Sequence, residues 1–188
     1  HDDRGDHVHA TRDLERTLTP AFQVERIIDA FQHGASLDLS GYEDGTENPE
    51  GKDALAAAIV DGKGKGLDGS SFVAVQQWVH DLDALQAMSQ TEQDNTIGRR
   101  VSDNEEFDEA PASAHVKRTA QESFDPEAFV LRRSMPWADA RQAGLVFVAF
   151  GSSLDAFEAQ LIRMSGTEDG IVHALFRFSR PVTGAYFW

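Results

Sequence analysis

Apolar and polar positions alternate most clearly from residue 71 onward. Over residues 71–79, Phe72, Val73, Val75, Trp78 and Val79 put apolar side chains on both faces of an extended segment, so burial on two sides is expected. Residues 144–151 form a continuous apolar run through Leu145, Val146, Phe147, Val148 and Phe150. Residues 129–135 read as another strand. Val172, Ala174, Phe176 and Phe178 alternate along a further one, entered from a turn at 166–170. Helical spacing separates these strands. Asp81 is placed to cap a helix over 82–90, with Leu82, Leu85 and Met88 inward. Ser152 and Asp155 mark a second helix, whose Leu154, Phe157, Leu161 and Ile162 carry an apolar stripe to about Ser165. The order strand, helix, strand, strand, helix, strand predicts an α+β fold of ferredoxin-like type, an antiparallel sheet with helices on one face. The opposite face then needs a cover: a second domain, a subunit or a large cofactor.

The first half is less regular. Residues 9–32 read as helical with a break near Thr19-Pro20, and Leu14, Leu18, Phe22, Ile27, Ile28 and Phe31 form the expected buried stripe. Residues 35–39 suggest a short strand. Asn48-Pro49 resembles a helix start, continued over 54–60. Residues 62–66 alternate glycine and lysine but lack the Gly-Lys-Ser/Thr ending of a phosphate loop. Residues 91–114 read as polar and irregular.

Composition narrows the partners. A chain of 188 residues with 40% hydrophobic content suffices for one well-buried domain. A net charge of -15 argues against nucleic acid and against anionic membrane surfaces. The absence of cysteine excludes disulfides and thiolate metal sites, and is compatible with a cytoplasmic location. No apolar run reaches the ~18 residues of a membrane span. The chain begins at His1 in mid-pattern and ends at Trp188 within a strand-like segment, so a piece of a longer product is expected.

Three clusters carry chemistry. Gly41-Tyr42-Glu43-Asp44-Gly45-Thr46-Glu47-Asn48-Pro49 is a shaped polar loop, in which glycine permits positive φ and close backbone approach. Alone it reads as a surface turn at least as well as a site. The histidines at 1, 7, 9, 33, 80, 115 and 173 show no metal-protease spacing, and His115 stands apart in Ala114-His115-Val116-Lys117-Arg118. Leu131-Arg132-Arg133-Ser134-Met135-Pro136 would place Arg132 and Ser134 on one strand face, where a salt bridge or a buried anion would satisfy the arginine.

Together these clusters resemble the dye-decolourising peroxidases, a haem enzyme family, in its bacterial class B form. Gly41-Tyr42-Glu43-Asp44-Gly45 is similar to the family's Gly-x-x-Asp-Gly signature, extended by Thr46-Glu47-Asn48-Pro49. Ala114-His115 resembles the proximal ligand segment, 131–136 the strand with the distal arginine, Ile97-Gly98-Arg99 a propionate-contacting segment, and 167–188 the C-terminal strands. The resemblance implies a duplicated ferredoxin-like fold. Residues 1–35 would then be the tail of a mostly missing first domain, and 36–188 the C-terminal haem-binding domain. It implies haem b held by His115 on its iron, with Arg132, Arg99, Glu47 and Asn48 as further haem contacts. Asp44, Arg132 and Ser134 become the catalytic candidates for reducing hydrogen peroxide while aromatic dyes or phenols are oxidised. It also implies a homo-oligomer and, for the full-length protein, packaging as encapsulin cargo. Family relatives carry an acid where this chain has His173; that acid bonds the proximal histidine, so His173 is expected to do so less effectively. Asp169 or Glu168 would substitute if the backbone ran differently. Two other readings stay open on the residues: a haem-handling protein with little turnover, and a non-catalytic ferredoxin-like interaction domain.

Overall fold

The computed structural model describes residues 3–188; His1 lies outside the described residues. Its centre is a long antiparallel pair, β1 (Phe72–His80) with β4 (Ala143–Gly151), in register from Phe72 opposite Gly151 to His80 opposite Ala143. The short strands β2 (Leu131–Arg132) and β3 (Met135–Ala138) both pair with β4, while β5 (Ser179–Pro181) and β6 (Ala185–Phe187) both pair with β1. Counting each short pair as one broken strand, the spatial order read from the β5/β6 edge is fourth, first, third, second, all antiparallel: β5 and β6 flank β1, β1 flanks β4, and β2 and β3 close the far edge. That is the ferredoxin-like arrangement expected from the alternation.

Among the described residues, six helices accompany the sheet: α1 (Arg4–Leu18), α2 (Gly51–Ala58), α3 (Leu82–Gln86), α4 (Gln90–Ile97), the single turn α5 (His115–Arg118) and α6 (Asp155–Met164). Period-2 geometry puts Ala74, Gln76, Trp78 and His80 of β1 on one face, beside Ala149, Phe147, Leu145 and Ala143 of β4. On that face Ala74, Val130, Ala149 and Phe157 of α6 form one core, with Phe147 stacked on Phe157 at 5.8 Å. A second core joins Tyr42, Leu85, Ile97 and Phe178. The other face, with Val73, Val75 and Val79, is only half-buried.

Several boundaries differ from the sequence reading. The helix expected over 9–32 covers only Arg4–Leu18, and no α1 residue is buried; Leu14, Leu18, Phe22, Ile27 and Phe31 are exposed rather than forming a stripe. No strand forms over 35–39, where an isolated bridge from Leu37 to Glu43 closes a loop instead. The helix after Pro49 starts at Gly51. The alternation at 172–178 is a 3₁₀ turn (Ala174–Arg177), because His173 accepts the Leu175 N–H and starts a turn there. The strand proper begins at Ser179. The expected irregular stretch 91–114 instead opens on α4, fixed by a capping box between Ser89 and Glu92 and ended by Gly98 in the left-handed region.

Candidate functional site

The loop 36–45 is a compact turn. Asp38 N donates to Tyr42 O at 2.8 Å, Gly41 N to Asp38 O at 2.9 Å and Asp44 N to Ser36 O at 3.0 Å. Gly41 and Gly45 adopt positive φ, the conformation that glycine supplies without a Cβ penalty. Side chains pin the turn at three places. Tyr42 donates its hydroxyl to Asp94 of α4 at 2.6 Å, and Asp38 meets His80 at the end of β1. Asn48 brackets the main chain of Arg132, accepting from its N–H at 2.7 Å and donating to its carbonyl at 3.2 Å. The Asn48 amide is thus spent on aligning the loop with β2.

These anchors bring distant residues to one cleft. Asp44, Arg132 and His115 all line it, together with Ile97, Gln76, Trp78, Leu145, Phe147 and the α6 residues Phe157 and Leu161. Its room for water-sized molecules is about 110 Å³, and it is partly open to solvent. The cleft lies on the helix-bearing face of the sheet. A ligand within it would therefore leave the half-buried second face uncovered.

Arg132 Nη1 stands 4.0 Å from Asp44 Oδ1, a loose pair, and Arg132 Nε is buried without a partner among the described residues. The orphaned donor means that the protein alone does not satisfy this guanidinium. Burial raises the Asp44 pKa; Arg132 and the Gly45 N–H pull it down, Asp38 adds to the rise, and the net effect is upward. Asp44 is thus a weaker acid than an exposed aspartate. Ser134 does not line the cleft: its hydroxyl accepts the Val148 N–H at 3.3 Å, in a neighbouring hollow that also touches Asp44 and Arg132.

His115 opens the one-turn helix α5, behind the fully buried Ala114. Gly98 makes this placement sterically feasible: a Cβ there would collide with Val116 and sit 3.2 Å from the Ala114 Cβ. His115 Nδ1 lies 2.9 Å from His173 Nε2, and its own Nε2 makes no hydrogen bond among the described residues. Burial first, then Arg132, lowers the His115 pKa to about 4, so the ring is neutral at physiological pH. His173 is 1% exposed, and burial with the His115 and Arg118 charges depresses it strongly as well. Its Nδ1 accepts the Leu175 N–H at 3.2 Å, so in its neutral form the proton sits on Nε2, pointing at His115. The two acids considered as substitutes are engaged elsewhere: Asp169 holds Arg118 at 2.6 Å and Glu168 holds Arg163 at 2.8 Å.

Arg99 is 8% exposed and takes Glu47 and Glu106, each at 2.6 Å, and the Asn104 carbonyl at 3.0 Å. With His115, Glu47 and Arg132 it lines the hollow beside the cleft. Sequence reasoning missed Asp38, His80, Ser179 and Gln160, which also line the cleft. For His80 a signal existed, since it continues the Gln76 and Trp78 face of β1. Among the described residues no group of three or more His, Asp or Glu is arranged to hold a metal ion by itself.

Fold and site together define a ferredoxin-like domain with an internal cleft on its helical face. Residues 35–188 match the family described as Dyp-type peroxidase, C-terminal, and the chain belongs to that family. It is 33% identical over 177 residues to the dye-decolorizing peroxidase of Rhodococcus erythropolis, covering 91% of this chain and 52% of that protein. To the dye-decolorizing peroxidase of Mycolicibacterium paratuberculosis it is 31% identical over 179 residues, covering 92% and 51%. The chain thus spans about half the length of the curated relatives it matches. Among solved structures, a Rhodococcus jostii DypB variant in complex with heme superposes with a TM-score of 0.91 at 28% identity, covering 98% of this chain and 62% of that one. The dye-decolorizing protein of Vibrio cholerae does so with a TM-score of 0.89 at 30% identity, covering 98% and 62%.

Proposed function

We propose that this chain is the haem-binding part of a peroxidase that reduces hydrogen peroxide and oxidises aromatic dyes or phenols. One observation carries the reading: in a member of the Dyp-type peroxidases, a neutral histidine with an unbonded Nε2 shares a cleft with a weakened carboxyl and a partly unpaired arginine. The donor set suits haem b, with an imidazole nitrogen for iron, apolar walls for the macrocycle and an orphaned guanidinium N–H for an anionic group. Coordination at His115 Nε2 requires the His115 proton on Nδ1, donating to His173 Nε2; the His173 proton then moves to its Nδ1 and the bond from the Leu175 N–H is given up. Arg99 and Glu47 would border the propionate edge, where Arg99 already carries two carboxylates.

Bound haem would supply an iron centre that reacts with peroxide and takes electrons singly from a donor. Asp44 would accept a proton from hydrogen peroxide and return it to the departing oxygen, which leaves as water. Arg132 would stabilise negative charge on that oxygen. Ser134, one hollow away, would hold a water beside Asp44 and Arg132. The partners implied are peroxide and an aromatic reductant. For homo-oligomer formation and encapsulin packaging of the full-length protein, only the family likeness speaks.

The test is spectroscopic first. Haem titration should give a Soret band that is lost or displaced in His115→Ala. Peroxide-dependent dye oxidation should fall by roughly 10²- to 10⁴-fold in Asp44→Ala or Arg132→Leu. Haem uptake without such oxidation would favour a haem-handling protein instead.

A further inference from the structure

Beside the Asp44 loop, on the wall of the cleft, lies a polar cluster that the proposed chemistry does not use. His80 Nδ1 is 2.7 Å from Ser179 Oγ, and His80 Nε2 is 3.2 Å from Asp38 Oδ1. The other Asp38 oxygen accepts the Ser40 N–H at 2.9 Å and the Ser40 hydroxyl at 2.5 Å. The His80 side chain is 4% exposed and that of Asp38 15%. Three separate stretches meet here: the loop, the end of β1 and the start of β5.

Two facts make the cluster more than filler. First, among the described residues no side-chain donor forms a hydrogen bond with the Asp44 carboxyl; its contacts are the Gly45 N–H and the 4.0 Å approach of Arg132. The place of that carboxyl is therefore inherited from the backbone of residues 36–45. Second, Asp38 is the hinge of this backbone. Its N–H and C=O close the turn onto Tyr42 and Gly41, and its side chain fastens the turn to β1. β1 is paired on both sides, by β4 and by β5 and β6, which makes it a well-supported strand at the middle of the sheet. His80 thus joins a firm strand to the loop that aims Asp44.

We propose that His80 is a positioning residue for Asp44, acting through Asp38: the buried His80–Asp38 contact sets where the Asp44 carboxyl stands in the cleft. The proposal rests on the peroxidase reading for its consequence in turnover, but not for its geometry. Asp38 also contributes a fixed negative charge that Asp44 senses, and that charge stays in place only while His80 and Ser40 hold it. A small displacement of a reacting group costs up to about 100-fold in rate.

The test compares His80→Leu, which removes both ring contacts, with His80→Gln, whose amide can still donate to Asp38. The first readout uses haem-free protein: the ¹³C carboxyl resonance of Asp44, assigned by its loss in Asp44→Asn. His80→Leu should move this resonance and its titration midpoint, and His80→Gln should restore both. In haem-loaded protein, His80→Leu should lower kcat/KM for peroxide by roughly 10- to 100-fold, leave KM for the dye unchanged and keep the Soret band, with rescue by His80→Gln. If His80→Leu fails to fold, Ser179→Ala, which frees only Nδ1, should show the same changes in smaller measure. An unmoved Asp44 resonance in the folded variant overturns the proposal. If the resonance moves but the unsubstituted haem-loaded chain shows no peroxide-dependent dye oxidation, the positioning stands and the peroxidase reading fails.

Discussion

A histidine at 173 alters the partner that His115 Nδ1 meets. An ionised acid there could only accept a proton from His115, pushing electron density toward a bound metal. In this structure the Leu175 N–H occupies His173 Nδ1 at 3.2 Å, so neutral His173 presents a proton to His115 instead. Metal ligation must then work against that arrangement. His173→Asp is expected to lower the iron reduction potential and to speed peroxide activation by roughly 10- to 100-fold. A spectroelectrochemical titration and stopped-flow mixing with peroxide check this; an unchanged potential would remove the idea. On the opposite side, Asp44 links function to stability. Its pKa is raised in the folded chain, chiefly by burial, so ionising it opposes folding. The stabilising contribution of neutral Asp44 is present below the ordinary carboxylate range and is lost as pH rises through its raised value. Asp44→Asn should therefore increase Tm at neutral pH, with the gain vanishing in acid. In the proposed reaction the ionised carboxylate receives a proton, so activity should rise with pH along a limb lying above the ordinary carboxylate pKa.

At the scale of elements, the site depends on how closely α4 and α5 approach. Gly98 ends α4 at φ 93° and leaves room for Val116 and Ala114 beside His115. Gly98→Ala adds both a disfavoured backbone and a collision, so a loss of roughly 1–3 kcal/mol is expected, with weaker haem uptake as His115 shifts. Thermal melts and haem titration of the variant measure the two effects separately. Here lies the contrast with what was legible in the sequence. The long strands β1 and β4 could be read because a short continuous apolar run is what a central strand requires, although the burial expected on both faces is only partial on the second. The helix α4 escaped because Ile97 is its sole large apolar residue, although its capping residues Ser89 and Glu92 were plain in the sequence. The strand expected at 172–178 failed for the opposite reason: a period-2 pattern four positions long does not distinguish a strand from a short 3₁₀ turn. The identities of Asp44, His115 and Arg132 came from motif likeness, whereas their meeting in one cleft depends on tertiary contacts such as Asn48 with the Arg132 main chain. Local patterns do not encode such contacts.

Across the whole molecule, order is distributed unevenly. The sheet, α6 and the loops around the cleft share two cores, while α1 buries no residue. One contact of α1 with the following segment is the pair Arg4–Asp29 at 3.3 Å, with side chains 88% and 66% exposed, an arrangement worth little in water. Only further on does the chain join the sheet, through a bridge from Ala30 to Trp137 and the Phe31 N–H on the Pro136 carbonyl at 2.9 Å. Short helices without a packed face are marginal by themselves. Limited trypsin digestion of this chain should therefore cut first after Arg12 and Arg16. The species containing β1 to β6 should remain intact, as followed by mass spectrometry. Its melting temperature should stay within about 2 °C of the uncut chain, since exposed changes of this kind alter stability by ~0.5 kcal/mol or less. Rapid cutting near Arg118 or Arg132 instead, or a large drop in Tm once α1 is lost, would mean that the N-terminal segment supports the cleft.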